Sequence, residues 1–401
     1  MARLDDALLI SALPGILWAA RVEDGTLVDL TLRRDDRPEV QGNLYLGRVV
    51  RLDRGLGAAF VEVGLAAPGL LPLDRVEARP AEGAALLVKV QRAPGAGKGA
   101  KLTARIPAEL RRRLEPAARA ATAPALLQRA EDPLDRLLDA GAPPIPVVAD
   151  DPEVLAEARR RLEAAGRPSE GLELYRGSLP LFEASGLAER IEALLDPRVA
   201  LPGGGALLIE PTRTLTAVDV DSGGARAGDP ERLALEVNLE AAAAAARELR
   251  LRRLSGLIVI DFLELRSRPQ RQEVVRRLRQ EMKPDPEAGR VLPMSASGLV
   301  EVTRRRAGPP LHALLTRPCG LHGSGRAWDP AILAWQALQR LRHQALGRPG
   351  GSLRLACGPG GAAALQGPAA PAHRAVAAAL GREIEILPDP TLADDEIRIV
   401  I

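Results

Sequence analysis

Aromatic residues make up only 2% of this 401-residue chain, with three Phe, three Trp and two Tyr. So few rings exclude an extended surface that grips its ligand by stacking, and leave room only for a local one. Cysteine is nearly absent too. Cys319 and Cys357 stand alone, too few for a disulfide framework. Lysine is confined to Lys89, Lys98, Lys101 and Lys283, so almost all positive charge is arginine. The 55 Lys+Arg nearly balance the 52 Asp+Glu, for a net charge of +3. That excludes a global field that would draw in polyanions, and any basic surface must be a patch. Long apolar runs are missing as well. The one near the amino terminus, residues 8–20, is broken by Ser11 and Pro14 and preceded by Asp5 and Asp6. A membrane span takes roughly 18 or more apolar residues. With no secretory leader pattern, the expectation is a reducing cytoplasm and no membrane span.

What is present is an ordinary globular balance, 46% hydrophobic and 27% charged, on a chain long enough for several cores. Its most informative stretch is residues 204–264, which read ALLIEPTRTLTAVDVDSGG, then a long helical pattern, then SGLIVIDFLEL. Residues 206–210 and 214–221 alternate apolar and polar on either side of Pro211-Thr212-Arg213, the pattern of a hairpin. Asp219 and Asp221 then share one strand face. Asp229-Pro230-Glu231 is a helix start, a capping carboxylate before proline, for a helix expected to run to Leu254. Gly256 releases the chain into Leu257-Ile258-Val259-Ile260, a strand buried on both faces, with Asp261 at its carboxyl end. Two strands ending in Asp and joined by a helical crossover bring Asp219 and Asp261 to one sheet edge. Carboxylates gathered there repel unless a cation lies between them, and oxygen-only donors suit Mg²⁺ or Mn²⁺. Taken singly, Asp219 reads as a turn cap and Asp261 as the end of a strand.

Elsewhere, residues 8–11, 16–21 and 27–32 read as short strands, the last two joined by the turn Glu23-Asp24-Gly25. Residues 45–50, 58–63 and 85–90 are strand-like runs between Gly-rich turns, the pattern of a small barrel. Phe60 is either a stacking surface or a core residue of that barrel, depending on register. The loop RAPGAGKGAKLTAR carries Lys98 and Lys101 as solvated cations suited to phosphate. Residues 107–121 are helical, 146–148 a strand, and Asp151-Pro152-Glu153 starts a helix through Ala165; the Asp150-Asp151 pair reads as helix capping. Arg250, Arg252 and Arg253 close the long helix, where cations suit the dipole, and Arg250 and Arg252 are also candidates to touch a bound phosphate. The tail after Trp328 has two helical and three strand-like segments, a small α/β module whose expected use is self-association into a homodimer.

The wording TLTAVDVDSGG, VNLEAA, RELRLRRLSGLIVIDFLEL and LYRGSLPLF resembles the ribonuclease E/G family. The resemblance implies a Mg²⁺-dependent endoribonuclease that cleaves single-stranded RNA in RNA processing or decay, leaving 5′-phosphate and 3′-hydroxyl ends. It implies an α/β multidomain layout: a ribonuclease-H-like subdomain over residues 1–36 and 106–198, an S1-like OB-fold barrel over 37–105, and a DNase-I-like catalytic domain over 199–315. A degenerate zinc link over 316–326 and a small C-terminal domain over 327–401 complete it. Asp219 and Asp261 match the family's metal-holding residues, Glu264 the place of a further acid, and Phe60, Lys98 and Lys101 the RNA-holding face of the barrel. Departures matter. Asp221 stands where the family has Asn, Leu70 where it has a second barrel aromatic, and the 5′-sensor motif Val-Arg-Thr-Ala is missing, so preference for 5′-monophosphorylated ends should be weak. Only Cys319 remains of the Cys-Pro-x-Cys link, so zinc is not expected, although Cys319 and His322 of two chains would make a four-ligand set. Those losses leave open a catalytically weak or inactive RNA-binding relative, and the DNase-I-like fold a deoxyribonuclease.

Overall fold

The computed structural model describes residues 4–76, 80–94, 98–139, 145–212, 214–224, 229–319, 325–346 and 350–400. Contacts divide the chain into two units, Met1–Asp36 with Leu137–Ile401, and Arg37–Arg136. Strands β1 (Ala7–Leu13), β2 (Ile16–Glu23) and β3 (Thr26–Arg34) form an antiparallel meander. Every residue of β1 is buried, as a central strand covered on both faces must be.

The chain then makes the second unit. Strands β4 (Leu44–Asp53), β5 (Ala58–Glu62), β6 (Gly69–Pro72), β7 (Ala85–Arg92) and β8 (Lys101–Thr103) close on themselves through β4–β5 pairing into a five-stranded barrel. Its inward residues, among them Val49, Ala59, Val61, Leu71, Val88 and Leu102, alternate with outward ones. Helix α1 (Ala108–Ala120) and strand β9 (Ala125–Gln128) follow, and β9 pairs with β4 outside the barrel ring. The boundary expected at residue 105 therefore moves to Arg136. Helix α2 (Pro133–Asp139) comes next.

Back in the first unit, β10 (Val147–Ala149) adds parallel to β1, and β11 (Leu172–Leu174) parallel to β10, giving the order β11-β10-β1-β2-β3. Between them runs α3 (Pro152–Ala164), capped by Asp151, whose side chain accepts from the N–H of Glu153 and Val154. Its neighbour Asp150 does not cap. It is buried in the sheet, accepting from Ser11 Oγ at 2.6 Å and Gln339 Nε2 at 2.7 Å, and burial raises its pKa although the Ser11 bond opposes this. Helices α4 (Leu181–Ala184) and α5 (Leu187–Ala193) close this layer.

A second sheet is built from β12 (Arg198–Ala200), β13 (Ala206–Pro211), β14 (Leu215–Asp221), β15 (Gly256–Asp261), β16 (Ala288–Val291) and β17 (Leu299–Arg304), in the order β12-β13-β14-β15-β17-β16. Helix α6 (Pro230–Leu251) crosses over between the parallel β14 and β15, and α7 (Arg268–Glu281) follows β15. Alanines 241, 242, 244, 245 and 246 are buried on α6 in the core shared with the sheet, small side chains that let a helix lie close to its neighbours. The helix ends at Leu251, earlier than expected, because Arg253 takes a left-handed φ of 55° and turns the chain.

After α8 (Leu311–Leu315), β18 (Thr316–Pro318) and β19 (Arg326–Trp328) make a hairpin. The tail adds α9 (Pro330–Leu346), β20 (Leu353–Cys357), α10 (Pro359–Gln366), α11 (Ala370–Leu380), β21 (Ile384–Pro388) and β22 (Ile397–Val400). Trp335, Leu338 and Leu341 of α9 share one core with Leu9, Ala20 and Leu32 of the first sheet and with Leu353 and Leu355 of β20. The tail is thus one face of the first unit's interior rather than a module standing apart. No helix among the described residues is long and apolar enough to cross a membrane.

Candidate functional site

The site is set by register. Val218, Val220, Ile258 and Ile260 point into the core under the helices, so the alternate residues of β14 and β15 face the other way. Asp219 and Asp261 are direct partners in the parallel pairing and both are exposed. Neighbouring strands lie about 4.8 Å apart, and in-register partners put their side chains on one face. Their row continues to Leu208 on one side and Leu299 on the other. Among the described residues neither carboxylate has a cationic side chain within ion-pairing distance.

Asp221 lies on the same face one row further out, opposite Ala206. It accepts from the Gly223 N–H at 2.9 Å and pairs with Arg198 at 3.6 Å. The charge that Asp adds at this position is thereby offset by a local arginine. Glu264 is exposed on the segment after β15. That segment is clamped by Asn238 of α6, fully buried, whose Nδ2 donates to Leu263 O at 2.9 Å and whose Oδ1 accepts from Leu263 N at 2.9 Å. Glu231 Oε1 accepts from the Ser267 N–H, and Glu240 Oε2 from the Gly203 N–H. These helix residues hold the loops around the acids. Asn238 carried a legible signal, an amide at a position where the helix period demands an apolar residue.

Two residues expected to contact RNA, Arg252 and Arg250, sit at the end of α6. Arg252 is buried, its Nε donating to Glu248 Oε2 at 2.8 Å and its NH1 to Asp196 O at 2.6 Å. Arg250 is half-buried with its Nε enclosed. Both close the far end of α6, a 22-residue helix that is about 33 Å long at 1.5 Å per residue. A crossover helix starts at the carboxyl edge of the sheet and finishes at the opposite edge, so neither arginine lies beside Asp219 and Asp261.

The acids offer oxygen donors only. No set of three or more His, Cys, Asp or Glu side chains among the described residues is arranged to hold a metal. Mg²⁺ is commonly held by one or two carboxylates with water and phosphate completing its shell. Cys319 is half-buried past β18, its N–H donating to Gly325 O at 2.9 Å; His322, its suggested companion, lies outside the described residues.

In the second unit the barrel register answers the question about Phe60. Arg51, Phe60, Leu70, Lys101 and Arg92 are successive cross-strand partners over β4, β5, β6, β8 and β7. None of them belongs to the buried set that fills the barrel. Phe60 is half-buried on the outer face, with the Arg51 guanidinium 4.3 Å from its ring centroid. Leu70 leaves the adjacent position without a ring, and the planar guanidinium of Arg51 is itself a stacking surface. Lys98 is exposed nearby. A Cβ on Gly99 would come within 2.1 Å of Pro68 O, so glycine is what lets this strand entry seat Lys98 and Lys101. Sequence reading missed Arg51, and the pairing brings Arg92, the first cation of the basic loop, into line with it.

The family model described as "Ribonuclease E/G family" matches residues 98–307. The chain is 28% identical to ribonuclease E of Escherichia coli (strain K12), over 82% of this chain and 40% of that protein. It is 26% identical to ribonuclease G of Haemophilus influenzae, over 83% of this chain and 86% of that protein. With ribonuclease E of a Nostoc species it shares 34% identity over 50% of this chain and 30% of that protein. The chain spans less than half the length of the ribonuclease E proteins it matches. The matched segment holds Asp219, Asp261 and the whole sheet that pairs them, and on that match the chain belongs to the ribonuclease E/G family.

Proposed function

We propose that this protein is a Mg²⁺-dependent endoribonuclease acting on single-stranded RNA, in RNA processing or decay, and that its reaction centre is the exposed face carrying Asp219 and Asp261. The observation that carries this reading is their in-register pairing on parallel strands. Two carboxylates held side by side, with no cationic partner among the described residues, suit a divalent cation. When bound, that cation supplies Lewis acidity to a phosphodiester and to water. The chain's part is to anchor it through Asp219 and Asp261 and to hold the flanking loop still through Asn238. Glu264 and Asp221 stand near enough in sequence to orient water or a ribose hydroxyl. Water adds to phosphorus as the bond to the 3′ oxygen breaks, giving a 5′-phosphate and a 3′-hydroxyl. Layout follows the same family: a ribonuclease-H-like sheet, an S1-like barrel and a DNase-I-like sheet.

Binding falls to the barrel lane. Phe60 and the Arg51 guanidinium offer stacking, and Lys98, Lys101 and Arg92 offer phosphate contacts without base preference. Phe60→Ala is expected to weaken binding of a single-stranded oligomer by about 1–3 kcal/mol. Lys101→Ala should instead lower the slope of log K against log salt by about one unit contact. Fluorescence anisotropy at three salt concentrations separates the two, and unchanged affinity in both would remove the lane from the RNA path.

The deciding experiment for the activity is cleavage of an end-labelled single-stranded RNA, beside DNA of the same sequence, with Mg²⁺, after EDTA, and after Mg²⁺ is restored. Cleavage of RNA alone that disappears and returns with the cation is the expected result. Binding without any cation-dependent cleavage identifies an RNA-binding relative instead, and equal cleavage of DNA identifies a deoxyribonuclease.

A further inference from the structure

In a chain so poor in rings, all three tryptophans, Trp18, Trp328 and Trp335, and the phenylalanine Phe182 line one cavity of about 540 Å³ in the first unit. The walls are preformed. Trp18 and Phe182 meet edge to face with centroids 6.4 Å apart. The Trp335 indole N–H donates to Pro14 O at 3.3 Å, and its ring is backed by the Arg34 guanidinium at 5.4 Å. Arg34 is in turn fixed by Asp36, Asp329 and Leu314 O.

The polar lining is one-sided. Gln339 Nε2 is used twice, donating to Ser11 Oγ at 3.0 Å and to Asp150 Oδ2 at 2.7 Å, which leaves Gln339 Oε1 buried without a hydrogen-bond partner. The cation in the lining, Arg340, is engaged by Glu183. Glu189 and Glu192 add two exposed carboxylates, with no ion pair to either among the described residues. Aromatic faces and carboxylates favour positive charge and N–H donors, and among the described lining residues a phosphate would meet no free cation. RNA, whose backbone must enter with its bases, is disfavoured by the same groups.

We infer that this cavity binds a small organic cation, an ammonium or guanidinium compound whose charge lies against the half-buried Trp18 and Trp328 rings and whose N–H groups donate to the glutamates. This is a site separate from the Asp219–Asp261 face and does not depend on it.

Because the only tryptophans in the chain line the cavity, intrinsic fluorescence reads its occupancy directly. The probe is argininamide, with citrullinamide as its near-isostere, both acetylated at the α-amino nitrogen so that citrullinamide is neutral, and adenosine monophosphate is the nucleotide alternative. Argininamide should give a saturable change, with citrullinamide about tenfold weaker. The double change Glu189→Gln with Glu192→Gln, both exposed and remote from the core, should weaken argininamide about threefold or more while circular dichroism stays the same. Absence of a saturable change, equal binding of citrullinamide, or preferential binding of adenosine monophosphate would each overturn the inference, the last by making this a nucleotide pocket.

Discussion

Asp219→Ala and Asp261→Ala are each expected to lower the RNA cleavage rate by about 10²- to 10³-fold, the usual range for removing one preorganised electrostatic contact to a reacting centre. The two carboxylates serve one cation, so the double variant should be little slower than the worse single one. An additive loss would mean that the two acids act separately. Stability should move the other way. Both side chains are exposed and face each other across parallel strands, and like charges directly opposite on a sheet are mildly destabilising. Without Mg²⁺, either variant should therefore melt no lower than the parent. With Mg²⁺ in excess, the parent should gain melting temperature by mass action and the variants should not. Reading cleavage and melting on the same preparations distinguishes loss of a cation site from loss of fold. Full activity in both variants would dismiss this face as the reaction centre.

The pairing of Asp219 with Asp261 was close to legible in the sequence, because a strand, a crossover helix and a second apolar strand leave few ways to lay the two chains together. Local signals were equally readable where they are chemical: Asp151 and Asp229 as caps, Gly256 with its φ of 94° at the entry to β15, and the turn at Asp24-Gly25. What failed was anything decided by distant partners. Arg252 has the address of a solvated helix end, yet Glu248 and the Asp196 carbonyl take it into the interior. Strand β9 is four residues long and joins the barrel through β4, far away in sequence, so no local pattern marks it. Phe60 could be placed on the outer face only once the barrel register was known. The tail read as a separate module because α9 is apolar on a wide face, and nothing local says that this face meets β1 and β2 rather than another chain.

The largest stability effect should come from a pair the function does not use. Arg304 at the end of β17 donates from Nε to Asp285 Oδ2 at 2.6 Å, from NH2 to Asp285 Oδ1 at 3.0 Å and from NH1 to Leu254 O at 2.9 Å. Both side chains are almost wholly enclosed, 6% and 3% exposed, so the geometry is bidentate and dry. Asp285→Ala leaves a buried guanidinium without its counter-charge and should cost about 3–5 kcal/mol. Replacing both partners, Asp285→Leu with Arg304→Met, removes the stranded charge and leaves the Leu254 carbonyl without its donor and the Glu287 N–H without its acceptor, a cost nearer 1–3 kcal/mol. Urea midpoints should thus rank parent, then double variant, then Asp285→Ala. Arg304 pairs with Gly256 and Leu299 with Asp261 at the other end of the same ladder, so the lesion lies at the edge remote from the acids. Cleavage by Asp285→Ala, measured well below its melting temperature, should accordingly stay within about twofold of the parent, since such an enclosed pair contributes to the folded state rather than to the transition state. A double variant as unstable as the single one would show that packing volume, and not the unpaired cation, sets the cost.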